Sequence, residues 1–478
     1  MQNSYYQLIK DYWSIILMIL LLPVLLDMVL LILPTHDDWA GTTTPDFTPF
    51  FTKEHFFFYG YHWRPFDTWI GYLVGRNPQL LYPALNHILV VFGHFLSAVA
   101  LFKVLLVLGF NKRIINVSTL FFFIVPATMA TVTAIDSQNQ VYALVIDLVA
   151  FLFYIHHNKF KYCFWPILIF LATLFKENGL MWALICPVLA FGFDLIDKKT
   201  LKKDLVVGLG IMIAYALIIV IQPKDIIIHP EYEPGILKIV KNFVKFLFSS
   251  LITVDYIYLL HQPSRKLLLA IVSFLFALPF LYIVFIRQWQ LFRIQKMWCT
   301  VICLLIAVGP HLLTTFSMMH TYAGLAFITI MIAYSMSTYK GQQKTVMCSF
   351  GLFVIVSVAI DIHLIDASIK SGQIGKQMAR EAIQKTGEPV NKVYVIIIKD
   401  DYPKLSSFCV IPNEAFGWGI AAQYETDYQW PEVIQDTTIE RSADAFRKAK
   451  ELGLERLNKQ QYDCIWIVDH EHIDVVKR

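Results

Sequence analysis

Long apolar stretches alternate with short polar segments over the first three quarters of the chain. Eleven of these stretches approach the ~20 residues that a helix needs to cross the hydrocarbon core of a bilayer. Their approximate limits are 13–33, 80–108, 114–131, 138–155, 162–176, 178–196, 204–222, 267–286, 297–317, 321–337 and 345–365. The pattern therefore predicts an α-helical polytopic membrane protein with about eleven transmembrane helices, formed by residues 1–365.

The pattern changes at residue 366, where a polar tail begins. This tail holds 15 of the 40 Lys and Arg residues and 18 of the 36 Asp and Glu residues. Short apolar runs at 393–398 and 464–468 are typical of buried strands, and helices are predicted over 367–385 and 442–459. We expect residues 366–478 to form a small α/β soluble domain.

Composition agrees with a membrane protein and excludes some functions. The chain is 57% hydrophobic and only 16% charged, against about 25% charged residues in ordinary soluble domains. Basic patches interleaved with aromatic residues are missing, so nucleic acid is not an expected partner. Membrane lipids, in contrast, are expected partners.

The distribution of Lys and Arg predicts the orientation in the membrane. Alternate polar segments hold 14 basic residues in 52 positions on one side and 9 in 102 on the other. Cytoplasmic loops are the more basic ones, so we expect a cytoplasmic N-terminus and an extracytoplasmic tail. Segment 236–260 has the pattern of an amphipathic helix on the outer surface. The alternative is that it crosses the membrane, which would weaken the charge bias.

Charged residues follow the first apolar stretch. Asp37 and Asp38 are adjacent, and such a pair can accept a proton or bind a divalent cation such as Mg²⁺ or Mn²⁺. Arg64 lies among aromatic residues in the same loop, and its planar guanidinium could hold a phosphate. The alternatives are a solvated acidic pair and an arginine in a structural ion pair.

Further polar residues are predicted at the same outer surface. Asp136 lies in the second outer loop, beside three amide side chains that could bind a sugar or form a solvated turn. Lys176 and Glu177 interrupt an apolar region, where charges are costly unless they are paired or hydrated. His320 and Tyr322 lie near the outer end of the tenth stretch, although a single His is more often a packing residue. We expect all of these residues to border one cavity.

Five short segments share their order along the chain with motifs of a known class. They are Asp37-Asp38, Trp63-Arg64-Pro65, Asn86-His87 with His94, Phe175-Lys176-Glu177-Asn178 and Met319-His320-Thr321-Tyr322-Ala323-Gly324. Together they resemble the GT-C class of membrane glycosyltransferases, most closely the protein O-mannosyltransferase group and its bacterial relatives. The resemblance covers roughly residues 10–340. His320 stands where the class carries arginine, and the tail lies outside the resemblance.

The resemblance implies a reaction and roles for the residues that match. A sugar would pass, with inversion, from a polyprenyl-phosphate carrier to a glycan, lipid or protein acceptor at the outer face of a bacterial inner membrane. Asp37 would act as the base, and Asp38 as its partner or as a metal ligand. The substrate-binding residues would be Arg64, Asp136, Lys176, Glu177, His320 and Tyr322.

Two functions of other classes also fit a polytopic chain. A lipid or polysaccharide transporter or flippase would show internal repeats or broken helices at mid-membrane, and the sequence has no detectable repeat. A non-catalytic scaffold that presents the tail outside would tolerate loss of Asp37, Arg64 and Lys176 together.

Overall fold

Helices make up most of the first 386 residues of this computed structural model. The structure describes residues 2–35, 38, 64–66, 83–156, 160–221, 235–251, 264–286, 290–291, 294–313, 318–400, 411–426, 432–459 and 461–477. The α-helices described in this region are α1 (Gln2–Val29), α2 (Ala84–Val107), α3 (Lys112–Ile124), α4 (Met129–Val132), α5 (Gln138–His156), α6 (Lys161–Phe175), α7 (Trp182–Gly192), α8 (Lys198–Ile221), α9 (Ile236–Leu251), α10 (Ser264–Leu281), α11 (Gln295–Leu312), α12 (Tyr322–Thr338) and α13 (Gln343–Thr386).

The described helices support a polytopic membrane protein. Six of them are long and apolar enough to cross a membrane, and the bent pair α3–α4 would make a seventh. Shorter apolar helices cover 161–175, 177–192, 271–285 and 322–338. The predicted number of eleven spans stays a prediction, since these four shorter helices fall below the usual length of a span.

The break between α3 and α4 has a local cause in the sequence. Val125 precedes Pro126 and adopts an extended backbone (φ −68°, ψ 129°), because a residue before proline is disfavoured in the helical region. The predicted span 114–131 is therefore bent by 47° instead of straight.

Contacts between helices define the two ends of the bundle. At one end, near the starts of α3 and α13, the hydroxyl of Ser14 in α1 donates to Asn116 Oδ1 (2.7 Å) and Arg113 donates to Gln343 (2.6 Å). At the opposite end, residues from the end of α1, the start of α2, α4 and the middle of α13 pack together: Val29, Ile32, Val91, Met129, Val132, Leu364 and Ile365. We call this second end the site end.

Helix α13 is continuous over 44 residues, which is about 66 Å at 1.5 Å per residue. The predicted boundary at residue 366 falls inside it, so the predicted last span and the predicted helix 367–385 are one element. At the site end α13 passes very close to the chain that leaves α1. A Cβ on Gly372 would lie 2.8 Å from the Leu33 carbonyl oxygen, so only glycine permits this approach.

The tail forms a four-stranded sheet of order β2-β1-β3-β4. Its strands are β1 (Lys392–Ile398), β2 (Glu432–Ile439), β3 (Cys464–Asp469) and β4 (His472–Lys477). β1 pairs in parallel with β2 and β3, and β4 is antiparallel to β3. The end of α13 packs with α14 (Pro412–Ala415) and α15 (Ile420–Glu425) on one face, and α16 (Ala445–Asn458) covers the other. The strands predicted at 393–398 and 464–468 are confirmed, whereas β2 and β4 were not predicted.

Candidate functional site

Asp38 joins two polar segments at the site end. Its Oδ1 accepts hydrogen bonds from the backbone N–H groups of Ile135 (3.0 Å) and Asp136 (3.3 Å), and its Oδ2 accepts one from Thr35 (3.1 Å). Burial and the nearby Asp136 carboxylate raise the pKa of Asp38 to about 8, although the three N–H donors act in the opposite direction. Asp38 and Asp136 were both predicted to border the site, and the structure brings them together.

Arg64 and Glu177 form a bidentate ion pair across 113 positions of sequence. Arg64 Nε donates to Glu177 Oε2 (2.7 Å), and Nη2 donates to Oε1 (2.6 Å). Glu177 was expected among the substrate-binding residues, and in the structure it holds Arg64. The interpretation of Arg64 as part of a structural ion pair therefore applies, with Glu177 as its partner.

Lys176 ends α6 and is placed by a tight turn. Its backbone is extended, and the 3-10 turn Glu177–Met181 follows at once. A Cβ on Gly179 would lie 2.9 Å from Ala172, so glycine lets the turn fold back against α6. Lys176 is 5% exposed, and Coulomb interactions link it to His311 and His320.

Two histidines stack beside these charges. The rings of His311, at the end of α11, and His320, just before α12, lie 4.8 Å apart at 15°. Burial lowers the pKa of His320 well below its ordinary value, and the positive charge of Lys176 lowers it further. His320 is therefore neutral at physiological pH and able to donate or accept a hydrogen bond.

Tyr322 lies in a different environment from the other predicted residues. It is fully buried, and its hydroxyl is 2.7 Å from His94 Nδ1. His94 Nε2 is 3.0 Å from the Phe123 carbonyl oxygen, which can only accept. A neutral His94 thus donates from Nε2 and accepts at Nδ1, so Tyr322 is the donor. This chain links α2, α3 and α12 inside the helix core.

Buried amide side chains lie at the start of α5 and in neighbouring elements. Asn86 Nδ2 donates to Gln138 Oε1 (3.1 Å). Gln140 is 3% exposed, and neither polar atom of its side chain hydrogen-bonds within the described part of the chain. The same is true of Asn178 Oδ1. Buried amides without partners are rare in proteins, so these atoms can bind water or a polar ligand.

The structure brings together Asp38 with Asp136, and Arg64 with Glu177, Lys176 and His320. Asp37 lies outside the described residues. Among the described residues no group of three or more His, Cys, Asp or Glu side chains could hold a metal ion. Asp136 is a carboxylate whose charge acts on Asp38, and Asp38 already accepts three N–H bonds. The described residues thus do not form a metal site, and the predicted Mg²⁺ or Mn²⁺ remains a prediction.

The distant origin of these residues limits what the sequence could reveal. The Arg64–Glu177 pair and the Asp38–Ile135 contact join segments about a hundred positions apart, and no local pattern encodes them. Asn86 and Asn178 fall within the motifs of the resemblance, but no local pattern predicts their burial. No protein-family model, curated protein or solved structure matches this sequence.

Proposed function

We propose that this protein is a membrane glycosyltransferase that moves a sugar from a polyprenyl-phosphate carrier to an acceptor hydroxyl, with inversion. One observation carries the proposal: two groups of polar side chains lie at the same end of an apolar helix bundle, Asp38 with Asp136, and Arg64, Lys176 and Glu177 with two histidines. Both charge signs at the end of a bundle suit group transfer to or from a lipid phosphate better than passage through the membrane.

The orientation of the bundle supports an outer-face site. Basic residues lie at the end opposite the site, including Lys112, Arg113 and Lys161. By the positive-inside rule this end is cytoplasmic. The site end, being opposite, is then outside. An odd number of crossings places the tail outside as well, and the number is eleven if the bent pair and the four shorter apolar helices all cross.

The proposed reaction is a single displacement. The acceptor oxygen forms a bond to the anomeric carbon while the bond from that carbon to the phosphate oxygen breaks. The phosphate leaves with the electron pair, and the acceptor proton passes to a carboxylate, because a hydroxyl is a poor nucleophile until it loses its proton. We assign the base to Asp37. Asp38 has the role of a positioning residue, since its oxygens already hold the backbone of three other residues.

Lys176 is the residue we assign to the leaving phosphate. Glu177 pairs with Arg64 through two short hydrogen bonds, and Lys176 is a second cation, buried beside the two stacked histidines. A buried cation stabilises charge that develops on a leaving group more than an exposed one does. Neutral His320 can add a hydrogen bond. Gln140 and Asn178 are suited to sugar hydroxyls, because both side-chain polar atoms of Gln140 and the Oδ1 of Asn178 are buried without a hydrogen-bond partner in the described part of the chain.

The test is sugar release from a panel of polyprenyl-phosphate sugars, with a membrane extract as the source of acceptor. We expect release by the wild type and a fall of at least about a hundredfold in Asp37→Asn and in Lys176→Met, the range typical of a lost base or electrostatic contact. Asp474→Asn on β4 is the matched control, because this exposed aspartate lies in the tail. Full activity in both site variants would contradict the assignment, and no release from any donor would contradict the transferase.

A transporter is the second candidate, and two buried carboxylates favour it. Asp147 in α5 and Asp361 in α13 lie inside apolar helices, and one oxygen of each has no hydrogen-bond partner among the described residues. Intramembrane carboxylates often mark proton or substrate pathways. Loss of lipid or solute transport in Asp147→Asn and Asp361→Asn, with sugar release absent in the wild type, would favour this function.

A further inference from the structure

Helix α9 (Ile236–Leu251) has three distinct faces. Lys238, Lys241 and Lys245 are spaced by three and four residues, which places them along one side of the helix. Next to this lysine stripe is an exposed aliphatic face, formed by Ile236 (84% exposed), Leu237 (82%), Val240 (54%) and Val244 (57%). Large aliphatic side chains this exposed normally have a partner surface.

The third face of α9 is docked on the bundle. Asn242 Nδ2 donates to the carbonyl of Leu312 (2.9 Å) at the end of α11. Phe246 is fully buried, and a Cβ on Gly324 at the start of α12 would lie 3.0 Å from its ring. Both contacts are at the site end, so α9 lies where neighbouring helices leave the apolar region.

The length and charge of α9 disfavour a crossing of the membrane. The 16 described residues of α9 span about 24 Å at 1.5 Å per residue, against about 30 Å of hydrocarbon. Three lysines in the hydrocarbon would be costly. The same residues suit a helix parallel to the surface, because lysine stems extend along apolar surfaces while their ammonium groups reach the headgroups.

We propose that α9 lies in the headgroup layer at the site end, with its lysine stripe bound to the phosphates of anionic lipids and its aliphatic face in the upper acyl region. Positive charge beside an exposed aliphatic face is complementary to an anionic lipid surface. The occupant is the bilayer itself, and the proposal does not depend on the transferase reaction.

The position of α9 is tested with a photo-crosslinking benzoylphenylalanine at Val240 or at Lys241, in the full-length protein in anionic nanodiscs. We expect crosslinks to lipid acyl chains from position 240 and few from position 241. The same probe at exposed Leu454 of α16 should give none. Three results would overturn the proposal: equal acyl crosslinks from 240 and 241, as in a crossing helix; no lipid crosslink from 240; or crosslinks from 240 to a second copy of the chain.

The lysine stripe is tested by changing all three lysines to glutamine. Each basic residue near an anionic surface strengthens binding about fivefold, so we expect retention of phosphatidylglycerol over phosphatidylcholine, measured by native mass spectrometry, to fall by roughly a hundredfold when all three lysines are lost. The matched control changes Lys448, Lys450 and Lys459 of the tail, which removes the same charge. Equal retention in both triple variants, with unchanged thermal unfolding, would overturn the lipid-phosphate assignment.

Discussion

At the scale of single residues, Asp38 connects the folding of the site to pH. Its pKa of about 8 lies above its ordinary value, so the folded chain keeps a proton that the unfolded chain has released between about pH 4 and pH 8. The free energy of unfolding should therefore decrease as pH rises through this window. We expect the wild-type unfolding temperature to fall from pH 6 to pH 8.5 and Asp38→Asn to show a shallower slope. Parallel slopes would mean that the Asp38 pKa is not raised.

The Arg64–Glu177 pair should couple energetically. The two side chains are 16% and 36% exposed, and a bidentate geometry in a partly buried place makes the interaction stronger than that of a surface pair. A double-mutant cycle with Arg64→Ala and Glu177→Ala should give a coupling free energy of about 1 kcal/mol in thermal unfolding. The exposed Lys399–Glu440 pair is the control, for which coupling near zero is expected. A comparable coupling in both pairs would contradict the argument from burial.

The sequence predicted which residues belong to the candidate site, but it did not predict which residues they contact. Charged residues in an apolar region are visible in any composition plot, and this identified Lys176 and Glu177. Which residue each one contacts depends on how helices pack, so the bond from Glu177 to Arg64 and the burial of Tyr322 against His94 emerged only from the structure.

At the scale of elements, two glycines of α13 offer a matched comparison. A Cβ on Gly372 would meet the backbone of Leu33 at under 3.0 Å, whereas one on Gly351 has nothing within 4 Å. Gly372→Ala should therefore lower the free energy of unfolding by roughly 1–3 kcal/mol through overpacking. Gly351→Ala should be neutral or slightly stabilising, since alanine favours helix. Equal unfolding temperatures for the two variants would show that α13 and the end of α1 do not touch.

Hydrophobic periodicity predicted the helices but not where a helix is bent or where two predicted helices are continuous. Apolar length predicted most helices within a few residues, because burial in lipid leaves a strong compositional signal. The bend at Pro126 and the continuity of α13 were missed, although the first has a proline as its local sign. Strand β2 was missed as well, since Glu432–Ile439 contains polar and apolar residues without a regular buried run.

At the scale of the whole molecule, the tail and the charged cluster share one end of the bundle. We expect both to face the outside of the cell. Trypsin added to right-side-out membrane vesicles should cut the tail, which has exposed lysines on α16. It should leave the chain at Lys198 and Lys199, which are exposed at the start of α8, uncut until the vesicles are opened. Cleavage in the reverse order would place the site on the cytoplasmic face and would contradict the proposed use of an outer-face carrier.

Because α13 is continuous, it also fixes how the tail is rotated relative to the helix bundle. One residue inserted after Gly372 would turn the sheet about 100° around the helix axis, whereas seven would return it to nearly the same direction and raise it by about 10 Å. Tails exchanged between related chains would thus be compatible only when the intervening helix differs by whole turns. A rotation of the tail about the axis of α13 would therefore act directly on the contact between Gly372 and Leu33.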